Sequence, residues 1–141
     1  NNPSFFSLNN IKNFDLICIN EGELRSELRD KKSNIDILAK KILIKNNLKF
    51  IVITKGIDGS ILFDHKLNKY SCPSFNLKPV DKIGAGDSML AILSILLKNK
   101  FNPPTSLLIA SLVSSIVVNN MGNAYSTSKL DIERNLDFLL K

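Results

Sequence analysis

Asp81-Lys82-Ile83-Gly84-Ala85-Gly86-Asp87-Ser88 runs without a break into the apolar stretch Met89-Leu-Ala-Ile-Leu-Ser-Ile-Leu-Leu97, and the reading of the chain turns on this passage. Two glycines let the backbone turn tightly and bring N–H groups close to a ligand. The apolar run reads as a buried helix, which places the Gly84, Ala85 and Gly86 amides at its N-terminus. Free amides and the positive end of the helix dipole favour an anion there. Asp87, in the first turn, stands where a general base meets a phosphate acceptor. An anion cradle holding a base describes phosphoryl transfer to a hydroxyl.

Two other glycine motifs are excluded by spacing. A Walker loop needs Gly-Lys-Ser/Thr, and none follows Gly86. A dinucleotide fingerprint needs glycine where Met89 stands.

The chain has 141 residues, 44% of them hydrophobic, enough for one domain with a real core. It begins without Met, and no charged segment leads into an apolar one, so it reads as a fragment or processed product and not as a secreted precursor. The apolar stretches 89–97 and 107–118 are too short for a membrane span. Cys18 and Cys72 are isolated, without metal-ligand spacing, and read as reduced packing residues of a cytoplasmic protein. His65 sits in a polar turn, which leaves little room for histidine-based catalysis or zinc. The net charge of +6 is spread over scattered lysines with no aromatic interleaving, so no nucleic-acid partner is expected.

Along the chain, Phe14–Ile19 reads as a buried strand ending in Asn20-Glu21-Gly22-Glu23, and a short helix over about 21–29 follows. Ser33 to Asp36 opens a second helix to about Asn46. Phe50–Thr54 is the clearest buried strand, and the path between the two strands reads as a βαβ crossover. Lys55–Gly59 turns the chain into a strand at 60–63, with another at 69–73 as a hairpin or sheet edge. Helices are expected over 85–99, 104–119 and 129–140. The fold class is α/β, with a mostly parallel sheet flanked by helices, in a single domain over 1–141.

Three motifs occur in order: Asn20-x-x-Glu23, Thr54-x-Gly56-x-x-Gly59, and Asp81-x-x-Gly84-Ala85-Gly86-Asp87. Together they make the chain resemble the C-terminal half of the ribokinase-like (PfkB) carbohydrate kinases, over nearly its whole length. Glu23-Leu24-Arg25 and the Val-Val-x-x-x-Gly ending at Gly122 lean toward the branch resembling heptose-7-phosphate kinases. The resemblance implies an ATP-dependent kinase of a sugar or sugar phosphate, with Asp87 as base and the amides of Gly84, Ala85 and Gly86 on the transferring phosphate. It implies Asn20 and Glu23 organising Mg²⁺ through water, and Thr54, Gly56 and Gly59 along the nucleotide phosphates and ribose. Ser111, Ser114 and Gly122 would border the adenine. The backbone carbonyls of Asp81 and Ile83 would hold K⁺, as in some relatives.

Simpler readings stay open on local sequence: Asn20 and Glu23 as a helix cap, Thr54–Gly59 as a strand-end turn, and Ser111 and Ser114 as small packing residues. The pattern also departs from the family's at three places, with Lys82 for a usual Thr, Met89 for Phe and Ser111 for Asn. The family's N-terminal half, with most of its sugar pocket and lid, is absent. An apolar edge or face is therefore expected to need the rest of a longer chain, or a second copy in a homo-dimer. Two alternatives remain: a non-catalytic nucleotide-binding module, and a kinase of a nucleoside or vitamin alcohol.

Overall fold

The computed structural model describes residue 8 and residues 14–75, 84–119 and 128–139. Strand β1, Leu16–Asn20, feeds directly into helix α1, Glu21–Leu28, and helix α2, Ile35–Lys45, returns the chain to strand β2, Phe50–Thr54. Two intervening helices supply the long crossover that parallel pairing requires, and β1 and β2 pair in parallel. A 3₁₀ turn at Gly56–Asp58 leads to β3, Ser60–Asp64, and a short turn leads to β4, Lys69–Cys72. Both later pairings are antiparallel, in the sheet order β1-β2-β3-β4.

The expectation of a mostly parallel sheet is therefore corrected. Among the described residues the sheet is mixed, with only the β1–β2 pair parallel. The connections explain it. Turns at 55–59 and 65–68 are far too short to cross a sheet face, so they can only reverse the chain.

Alternation along the strands builds a core on each face. Ile17, Ile19, Ile51, Ile53, Ile61 and Phe63 pack with Leu24 of α1 and Leu38, Ala39, Ile42 and Leu43 of α2. Val52, Leu62 and Cys72 face the other way, onto helix α3, Ala85–Lys98, and helix α4, Pro103–Asn119. Helices cover both sides of the sheet, and α5, Lys129–Leu139, follows.

Helix α3 corrects a second expectation, that its apolar run would be buried. Met89 and Leu93 are buried, but Leu90 is 36% and Ile95 59% exposed. Helical periodicity allows one stripe to face the sheet and α4, and a helix apolar on all sides leaves the remainder uncovered. Among the described residues no helix is long and apolar enough to cross a membrane.

Candidate active site

Strand register carries the first two motifs to the same place. Asn20 pairs with Thr54, Thr54 with Ser60, and Ser60 with Cys72, forming one row across the sheet at the carboxyl ends of the parallel strands. Open α/β sheets bind ligands at that end. Asn20, Thr54 and Ser60 line a cleft of about 670 Å³, whose walls also include Glu23, Gly56, Gly59, Gly84, Ala85, Gly86, Asp87, Ser111 and Ser114. Every expected site residue among those described is thus in the cleft. Asp81, Ile83 and Gly122 lie outside the described residues.

The Asn20–Glu23 pair forms a capping box. Asn20 Oδ1 accepts from the Glu23 N–H at 2.8 Å, and a Glu23 carboxylate oxygen accepts from the Asn20 N–H at 3.1 Å. The cap reading is therefore realised, and it holds Glu23 at the cleft wall with its second carboxylate oxygen outside the cap. Arg25, next along α1, is tied to Glu21 and to the Ser33 carbonyl.

Helix α3 starts differently from α1 and α2, whose first turns are capped by the Asn20 and Asn34 side chains. Its N-cap is Gly84, at φ +83, with no side-chain cap. The first helical hydrogen bond runs from the Ser88 N–H to the Gly84 carbonyl. The Ala85, Gly86 and Asp87 amides precede that rung and have no partner within the helix. Gly86 has no left-handed backbone, and among the described residues no atom outside its own helix turn lies within 4 Å of where a Cβ would stand, so its missing side chain opens onto the cleft. Gly59 is different. At φ +82, its added Cβ would run into the Cys72 carbonyl oxygen and lie 2.8 Å from Pro73 and Ser74 backbone atoms. Its close approach is to strand β4.

The serines of α4 also act between elements. Ser111 Oγ and Ser60 Oγ lie 3.1 Å apart, and Ser114 Oγ donates to the Ala85 carbonyl at 2.9 Å. Ser114 thereby ties α4 to the uncapped turn of α3, and Ser88 Oγ donates to the same carbonyl. Beneath the cleft, burial pushes the Cys18 thiol up to about 12, and the charges of Glu23 and Asp87 push the same way. Among the described residues no group of three or more His, Cys, Asp or Glu could hold a metal. Glu23 and Asp87 supply oxygen donors only, which suits Mg²⁺ bound by one or two carboxylates together with substrate phosphates.

The family model of the pfkB family carbohydrate kinases matches residues 7–130. The chain belongs to that family. It is 34% identical over 95 residues to the bifunctional protein HldE of Campylobacter curvus, covering 66% of this chain and 20% of that protein. Inositol 3-kinase of Arabidopsis thaliana is 33% identical over 92 residues, covering 65% of this chain and 26% of that protein. Escherichia coli phosphofructokinase-2, solved with substrates and products, superposes with a TM-score of 0.77 at 20% identity, covering 95% of this chain and 44% of that one. Ribokinase of Thermotoga maritima gives 0.72 at 22% identity, covering 87% and 42%. This pfkB chain thus spans about a quarter or less of the first two relatives and less than half of the two solved structures.

Several lining residues were not expected from the sequence: Lys55, Ile57, Ser60 and Phe75. Lys55 and Ile57 occupy variable positions inside the Thr54–Gly59 motif, and Ser60 reads only as a strand residue. The phase of β3, which sets Ser60 opposite Thr54, was the signal for Ser60; Phe75 lies beyond β4, where no periodicity marks it.

Proposed function

We propose that this chain is the nucleotide-binding and base-bearing part of an ATP-dependent kinase that phosphorylates a hydroxyl of a sugar or sugar phosphate. The observation that carries this reading is Asp87 directly after Gly86, in the uncapped first turn of α3, in one cleft with Glu23 and Thr54. Asp87 takes the proton of the acceptor hydroxyl as its oxygen bonds to the transferring phosphorus and the bond to ADP breaks. The Ala85, Gly86 and Asp87 amides donate to the phosphoryl oxygens, whose charge in the transition state is the main thing to be stabilised. Ser114, through the Ala85 carbonyl, keeps those donors in place. Thr54 and Gly56 line the nucleotide phosphates, and Ser111 lies toward the adenine. Mg²⁺, when bound, neutralises charge on the phosphates; Glu23 would hold it through water, with Asn20 fixing Glu23.

Among acceptors, the Glu23-Leu24-Arg25 signature and the likeness to HldE proteins of Campylobacter support a heptose phosphate. The likeness to inositol 3-kinase keeps a cyclic polyol as the second reading. Asp87→Asn preserves shape and removes the base. In the intact gene product its turnover should fall by roughly 10²–10⁴-fold while nucleotide still binds. Unchanged turnover would remove Asp87 from the mechanism.

A further inference from the structure

We infer that Lys55 is the cation that receives the terminal phosphates of the nucleotide, a role that rests on the kinase reading above. Among the described lysines only Lys40 and Lys55 are half-buried; the others are exposed. Lys40 has a reason within the protein, since its ammonium lies 5.6 Å from the centre of the Phe63 ring. Lys55 has no ring and no ion-pair partner among the described residues, and it lines the cleft instead. An arriving polyphosphate would give the Lys55 ammonium the anionic partner it lacks among the described residues.

The charges around the cleft make the same point. Glu21, Glu23 and Asp87 are the described acidic residues of the lining, and Lys55 is its only described cationic residue. Glu21 is paired with Arg25 at 2.8 Å, but Glu23 and Asp87 face the incoming polyphosphate as like charges. Backbone amides and the Mg²⁺ that Glu23 would hold offset only part of that repulsion, so a positive charge carried by the lining itself has a definite task. A lysine meets phosphate as a compact point charge on a flexible stem.

Its backbone is held for the purpose. Lys55 follows Thr54 at the end of β2, its N–H donates to the Gly59 carbonyl at 2.8 Å, and its carbonyl accepts from Asp58 at 3.2 Å. The turn that closes on Gly59 therefore fixes the Cα of Lys55, and the side chain stays free to follow the phosphates. This gives the second position of the Thr54–Gly59 motif a chemical role, separate from the conformational roles of its glycines.

The test compares affinities for adenosine, ADP and ATP, each with Mg²⁺, in the intact gene product and in its Lys55→Met and Lys55→Arg variants. Lys55→Met should leave adenosine binding unchanged, weaken ADP modestly, and weaken ATP roughly 10- to 100-fold, the size of one lost charge-assisted hydrogen bond. Lys55→Arg should remain within a few-fold of the parent. Equal weakening for adenosine and ATP, no weakening at all, or an Arg variant as impaired as Met would overturn the inference. So would a raised KM for a phosphorylated acceptor with ATP affinity intact, because that assigns Lys55 to the acceptor. A parent protein that binds no nucleotide would overturn the kinase reading as well, which separates the two failures.

Discussion

Gly59 and Gly86 both line the cleft, yet an added methyl group would do different things at each. At Gly59 it would collide with the backbone after β4 in a left-handed conformation. Such a conformation alone costs a non-glycine residue on the order of 1–3 kcal/mol, and the collision adds to it. Gly59→Ala should lower the melting temperature strongly and remove activity only through loss of folded protein. At Gly86 the methyl meets nothing among the described residues, so Gly86→Ala should melt within a degree or two of the parent while nucleotide affinity and turnover fall together. Thermal melts beside kinase assays of both variants check the pair; a Gly86→Ala protein of normal activity would show that nothing approaches that backbone. The two glycines look alike in the motif. Only the packing of β3 against β4 tells them apart, and packing between elements is what a local pattern does not carry.

At the scale of elements, the strand-to-helix junction at Asn20 and the hairpin at Asp64 each make a prediction. Glutamine can close a capping box as glutamate does. Glu23→Gln should therefore keep the stability of α1 while raising the Mg²⁺ concentration needed for half-maximal rate. Asn20→Ala, which removes the N-cap acceptor, should cost about 1 kcal/mol of stability. A metal dependence untouched in Glu23→Gln would confine that residue to capping. In the hairpin, burial works against ionised Asp64, but hydrogen bonds from Asn68, Lys66 and Tyr70 outweigh it and hold its carboxyl below the usual range. A depressed folded-state value stabilises the protein above the unfolded value, near pH 4, and that contribution is lost as pH falls further. Acid unfolding followed by circular dichroism should show a shallower decline below pH about 4 in Asp64→Asn, from a lower starting stability. An identical acid limb would contradict it. Elements were well legible: β2 at Phe50–Thr54 coincides with its expected span, and the helices begin within a residue or so of theirs. Strand direction was less so, because hydrophobic runs do not reveal it; the lengths of the connections do. The apolar run of α3 misled for a related reason, since composition says how much could be buried and not what is there to bury it.

For the whole molecule, the question is which of two reactants this chain can hold. Its cleft gathers the uncapped amides of α3, the Asn20–Glu23 pair and the α4 serines, which on the proposed reading are parts of a nucleotide site, on less than half the length of the solved relatives. Among the described strands β1 forms one edge of the sheet, and Leu90 and Ile95 leave part of α3 uncovered. Unpaired strand edges and exposed apolar surface favour association. Residues 1–141 alone should therefore self-associate, measurably so by light scattering, and should bind adenine nucleotide weakly. They should not transfer phosphate, because much of a kinase's rate comes from holding two reactants in line, and no described element here is left over for the acceptor. Calorimetry with ATP and Mg²⁺, beside ADP release across a panel of sugar phosphates and polyols, tests both statements. Acceptor-dependent ADP release by the pure chain would mean that the acceptor binds within this cleft or between two copies of it. Absence of nucleotide binding would mean that the cleft closes into a site only against further polypeptide along β1 and α3.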